Sequence, residues 1–145
     1  LEIPTVAALA RDGCADALPM LRRLADDIVD AGKRGDALEY VAADQRFHTC
    51  LLELSGNLRL VRIVVELRSQ ARLYRLRGVV ERGEAGQPAE EHHELLDLIE
   101  ARDPDAVTRL MERHLTWSRR MEPDGIARAE PIGPTRAEEL PPSRP

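Results

Sequence analysis

The chain has 145 residues, 43% hydrophobic and 32% charged, enough for one core and too few for two full domains. Its formal net charge of −5 excludes an overall positive field that would draw in nucleic acid or an anionic membrane. Aromatic residues make up only 3% while Leu, Ala, Arg and Glu abound, a balance that favours an all-α fold over a β-sandwich.

In chain order, "LEIPTVAALARDG" reads as the end of a first helix, stopped at Gly13. "ADALPMLRRLADDIVDAGKRG" reads as a second, with Leu18, Leu21, Leu24 or Ala25, and Ile28 on one stripe and Pro19 tolerated in its first turn. The third opens at "GDALE", where Asp36 can cap and Glu39 stands three residues later, the arrangement of a capping box. It runs to "SGN", where Gly56 can take a left-handed conformation and Asn57 can cap the next helix. The fourth, from about Leu58 to about Val80, carries Val61, Val64, Leu67, Ala71 and Tyr74 at helical spacing. A fifth, about Ala89 to Ala101, follows the break "ERGEAGQP". A sixth starts at the cap-and-proline pair Asp103-Pro104 and reaches about Met121. Residues 122–145 are Pro-rich without a periodic apolar face and are expected to be a disordered tail. Six helices on short connections imply antiparallel neighbours, hence a bundle over residues 1–121.

A bundle has an interior, and several polar residues fall on interior rows. On the third helix the row Ala37, Val41, Asp44, His48, Leu51 or Leu52, Ser55 steps by three or four throughout, so an acid and an imidazole replace apolar side chains. On the fifth, His92 aligns with Leu95, Leu96 and Ile99, whereas His93 aligns with Asp97 and Glu100 and points outward. On the sixth, His114 belongs to the row Val107, Leu110 or Met111, Ser118, Met121. An ionised carboxylate on such a row is costly unless paired or metal-bound.

A single inward histidine is more often a core residue bonded to a backbone carbonyl than a ligand. One Asp and three His drawn from three helices are another matter, because Asp44 and His48 at i, i+4 can share one ion. Neutral imidazoles with a carboxylate suit zinc first, with nickel, manganese or non-haem iron as alternatives. A bundle hydrolase using such an ion would also need a general base, and no further inward carboxylate is apparent on the motif helices, Glu53 and Glu94 both facing away. A metal-free internal hydrogen-bond network is the third possibility.

"DQRFHTCLLELSGN" resembles the D-x-x-F-H-x-x-L…SGN segment of the ligand-sensing C-terminal (FCD) domain of GntR-type bacterial transcription regulators, in the branch named after FadR. "EHHELLDLIEARDPDAVTRLMERHL" is similar to that family's E-H-x-x-[IL]-[LV] segment and the "RD…A…M..HL" that follows, and the likeness extends over roughly residues 1 to 121. The resemblance implies an antiparallel helical bundle that dimerises and holds a divalent metal in its central cavity, with Asp44, His48, His92 and His114 as ligands and His93 at a variable position. It also implies a small carboxylate effector at the open metal positions, and DNA binding by an N-terminal winged-helix domain rather than by this domain, so no enzyme activity is expected.

No winged-helix sequence precedes Leu1, so the expectation is either a fragment of a regulator or a stand-alone sensor. On the fourth helix Arg68, Arg72 and Arg75 continue the row of Val61 and Val64 or Val65, and a guanidinium there can pair bidentately with an effector carboxylate. A solvated arginine face or a dimer contact is the alternative. Ser55 and Asn57 can add hydrogen bonds, although a helix-terminus role already explains both. Cys14 and Cys50, without CxxC spacing, suit buried thiols of a reducing compartment. With no basic region followed by an apolar run at the N-terminus and no stretch of roughly 20 apolar residues, a cytoplasmic chain is expected.

Overall fold

A computed structural model describes the backbone of residues 1–120, and the side chains of these except residues 70–79, 81, 87 and 117–120. The tail expected over residues 122–145, with Met121, lies outside the described residues. So do the side chains of Ala71, Arg72, Tyr74, Arg75 and Ser118.

The helices are α1 (Glu2–Asp12), α2 (Leu18–Arg34), α3 (Ala37–Glu53), α4 (Leu58–Glu81), α5 (Gly86–Glu100) and α6 (Pro104–Arg120), with one 3-10 turn at Ala15–Ala17. No strand occurs among the described residues. The boundaries follow from local chemistry. Gly35 closes α2 at φ 69°, a left-handed conformation that a Cβ would strain, and the next amide, of Asp36, bonds back to the Ala31 carbonyl at 3.0 Å. Asp36 Oδ1 then accepts from the Glu39 amide at 3.0 Å, while Glu39's own carboxylate turns to Arg46 at 2.6 Å, so the expected capping box is only half formed. Asn57 Oδ1 caps α4 through the Leu60 amide at 3.0 Å, and Asp103 Oδ1 caps α6 through the Ala106 amide at 2.9 Å. α5 begins at Gly86, three residues before its expected start, with Pro88 in its first turn where a missing amide hydrogen costs nothing.

The two-residue connection Gly35-Asp36 folds α3 straight back along α2. α2 packs on both α3 and α5, α3 on α4, and α1 on α6, with α1 also touching α3 and α5. The core is continuous across all six helices, from Val6 and Ala10 through Leu21, Ile28, Phe47 and Leu51 to Leu96, Ile99 and Met111. The second-helix stripe is buried as expected at Leu18, Leu21, Ala25 and Ile28.

Two expectations fail at row ends. Ser55 is exposed because α3 stops at Glu53, so the row carrying Asp44 and His48 runs out at Leu52. Leu67 is 63% exposed, because the inward position after Val61 and Val64 falls to Arg68, one residue round the helix. Truncating a fully enclosed side chain shows what the core contributes. Leu21→Ala is expected to cost about 2–5 kcal/mol, seen as a lower urea midpoint with an unchanged denaturant slope.

Candidate metal centre

Three helices bring four polar side chains to one point in the core: Asp44 and His48 from α3, one turn apart, His92 from α5 and His114 from α6. Their relative exposures are 2%, 1%, 1% and 6%, so water does not solvate them. One ligand atom from each lies within 4.8 Å of every other, and the group could hold a metal ion. The inward positions of all four agree with the sequence rows, and His93, aligned with the outer row, turns to Asp26 at 3.1 Å.

The three imidazoles face the centre with the same edge. His92 Nδ1 is 3.1 Å from the Ala89 carbonyl and His114 Nδ1 is 2.8 Å from Glu91 Oε2, and neither oxygen can donate, so both Nδ1 atoms carry the proton. His48 Nδ1 faces Glu2 Oε2 at 3.9 Å. The Nε2 edges of the three rings are thereby turned inward, with the lone pair on Nε2 in His92 and His114. His92 Nε2 lies 3.3 Å from His48 Nε2 and 3.2 Å from Asp44 Oδ1, and His48 Nε2 lies 3.6 Å from the same oxygen. A carboxylate oxygen and imidazole lone pairs at these separations repel unless a cation lies among them. Bonds of about 2.0–2.1 Å at tetrahedral angles put ligand atoms about 3.3 Å apart, close to the three edges among Asp44, His48 and His92, while the set that includes His114 lies within 4.8 Å. The residues therefore fit a divalent ion on donor chemistry and on spacing, with Nε2 as the nitrogen offered by each histidine.

Charge around the cluster is tuned the same way. Burial depresses His114 below the usual histidine value, against the opposing pull of its bond to Glu91, so the ring is held neutral as a ligand must be. Burial acts to raise the Glu91 carboxyl, but the His114 hydrogen bond and the neighbouring His114, Arg113 and His92 overturn it and leave Glu91 below the usual carboxylate range. Arg113 Nε stands 3.7 Å from its other oxygen. Phe47 packs edge-on against His48 and His92, at centroid distances of 5.3 and 4.8 Å, and closes the apolar side.

Glu91 corrects the expectation that no further carboxylate points inward from the motif helices, since it is 8% exposed. Its signal was present, for Glu91 stands four residues before the buried Leu95. Glu2, four before the buried Val6, was missed in the same way. Its side chain is 12% exposed, with Oε1 on Arg68 Nε at 2.6 Å. Arg68 is thus inward as the row of Val61 and Val64 implied, and joined to the cluster's edge through Glu2. Asn57 is exposed, caps α4, and lines a separate groove with Pro4, Ala8 and Leu60, apart from the cluster.

An orienting carboxylate affects metal affinity without touching the metal. Glu91→Gln is expected to weaken zinc binding about 10–100-fold in a competition titration while the apo bundle still melts cooperatively. His114→Ala is expected to abolish stoichiometric metal by elemental analysis.

A family model described as the FCD domain matches residues 1–116, a span that takes in all four cluster residues together with Glu2, Arg68 and Glu91. No curated protein and no solved structure matches the chain. With most of its length under that model and the cluster assembled as the motifs implied, the chain belongs to the FCD-domain family, the ligand-sensing regulatory domain of GntR-type regulators.

Proposed function

We propose that this domain senses a small carboxylate through a divalent ion held by Asp44, His48, His92 and His114, in a regulator that binds DNA through a separate winged-helix domain. The observation that carries this is the convergence of Asp44 Oδ1 and the three histidines, turned inward by their Nε2 edges, in a dry core, a cluster of donor atoms that a cation would stabilise. Zinc is the first candidate, from the ligand set and the edge lengths, ahead of nickel, manganese and iron. Four protein ligands leave an ion that can expand its coordination to accept an anionic oxygen. Arg68, in from the same side of the bundle as Glu2, supplies the positive group for the effector's carboxylate. Arg72 and Arg75 belong to the same row by sequence, and Asn57 serves as a helix cap.

The regulator is proposed to act as a cytoplasmic homodimer, in keeping with the family. No helix among the described residues is long and apolar enough to cross a membrane. A hydrolase would need a carboxylate free to take a proton from metal-bound water. Of the two further acids at the cluster's edge, Glu91 is bonded to His114 Nδ1 and Glu2 to Arg68 through Oε1, and both approach their histidines from the Nδ1 side, away from the Nε2 atoms that face the ion site.

Dialysis against a chelator is expected to lower the melting temperature and zinc is expected to restore it. Acetate, malonate and citrate are then screened by thermal shift on the zinc-loaded chain. Saturable stabilisation by at least one, without consumption of the ligand or of ester analogues, is the expected result. An unchanged melt on metal removal contradicts the metal site, and turnover contradicts the sensor.

A further inference from the structure

The cluster has a carboxylate of its own where a carboxylate effector would be expected to reach. Glu2 comes from the first turn of α1, the helix that contributes no ligand, and crosses to α4 to pair with Arg68 at 2.6 Å, both side chains about nine-tenths buried. Its second oxygen is buried, has no hydrogen-bond partner among the described residues, and faces the Nδ1 edge of His48 at 3.9 Å. Arg68 Nε is therefore already holding an anion, within one side chain of a metal-ligand histidine.

We propose that Glu2 is a built-in competitor of the effector, holding Arg68 in the ligand-free domain and being displaced when an external carboxylate takes the guanidinium; the proposal rests on the sensor function set out above. The physical reason is charge balance in a low dielectric. One guanidinium cannot fully compensate two carboxylates, and a carboxylate left buried without its cation is strongly unfavourable. When an external carboxylate wins, Glu2 must leave the interior. Its backbone lies in the first turn of α1, where helix hydrogen bonds are fewest, so the side chain can swing out by loosening that turn while the rest of α1 stays packed on α6. Effector binding is in this way converted into a change at the start of α1. The competition also sets affinity, because the apparent dissociation constant rises in inverse proportion to the fraction of molecules in which Arg68 is available.

The test uses the zinc-loaded chain of 145 residues and titration calorimetry with acetate, malonate and citrate on the wild type, on Glu2→Gln and on Glu2→Asp. Glu2→Gln removes the competing charge with little change of shape. With each protein brought to one zinc per chain by elemental analysis before titration, it is expected to bind at least one of the three about 10-fold more tightly than wild type. Glu2→Asp, which keeps the charge and withdraws it by one methylene, is expected to fall between them and carries the comparison if Glu2→Gln does not melt cooperatively. In the wild type, saturating carboxylate is expected to speed exchange of the Thr5 and Val6 amides, the first that α1 can bond to its own carbonyls, several-fold, whereas in Glu2→Gln these exchange fast with or without ligand. Equal or weaker binding by the variants, beside measurable binding by wild type, overturns the competition and leaves the sensor function standing. Binding by neither protein overturns both.

Discussion

The bundle is organised around one electrostatic problem, the placing of a carboxylate oxygen and imidazole lone pairs a little over 3 Å apart in a core from which water is excluded. In water such groups would be screened and solvated. Buried, they raise the energy of the folded state by several kcal/mol, of the order of a small domain's whole stability margin of about 5–15 kcal/mol. A divalent ion reverses the sign of every one of these contacts at once. An ion held there would link metal binding to folding and tie α3 to the α5–α6 pair.

The geometry depends on which nitrogen of each histidine carries the proton, and the fold fixes this by hydrogen bonds at His92 and His114. His92 is oriented by its own helix through the Ala89 carbonyl, His114 by Glu91 on the neighbouring helix, and His48 faces Glu2 on α1. Glu91 and His92 are adjacent on α5, so a single turn of helix supplies one ligand and the group that orients another. The arrangement explains how charged residues are tolerated around a dry core. Each carboxylate is matched to an imidazole or a guanidinium, Glu91 leading outward to the exposed Arg113 and Glu2 to the buried Arg68.

Much of this was legible in the chain itself, because helical periodicity assigns faces. Asp44, His48, His92 and His114 each sit at three- or four-residue spacing from aliphatic residues that the fold buries, and the caps at Asp36, Asn57 and Asp103 mark helix starts directly. Periodicity was less reliable where a row ends or drifts. Leu67 and Ser55 were extrapolated one step too far, since a 3.6-residue period carries a stripe round the helix and a row stops where its helix stops. Glu2 and Glu91 were passed over because an acid beside a stronger apolar signal looks like solvent face. Their partners, Arg68 and His114, come from other helices, and no spacing within one helix announces such a pairing. What joins them is tertiary, and only the packed bundle displays it.

The two ends of α1 are held by very different means, and the contrast bears on how a signal can leave the core. At its C-terminal end Arg102, itself left-handed at φ 57° in the turn before α6, donates from Nη1 to the Arg11 carbonyl at 3.3 Å. Its guanidinium also lies over Gly13, so close that a Cβ there would come within 2.5 Å of Nη2. This end is held by the Arg102 hydrogen bond and by the backbone of Gly13 at φ 82°, a conformation that any side chain would strain. The N-terminal end is fixed by the Glu2–Arg68 pair, an interaction that another anion can replace. Between them Val6, Leu9 and Ala10 pack in the core and keep the helix body in place. A helix held by a fixed backbone turn at one end and by an exchangeable ion pair at the other has its freedom confined to the exchangeable end. That end is also the one nearest the candidate ion, which is what a domain that reports on its own ligand requires.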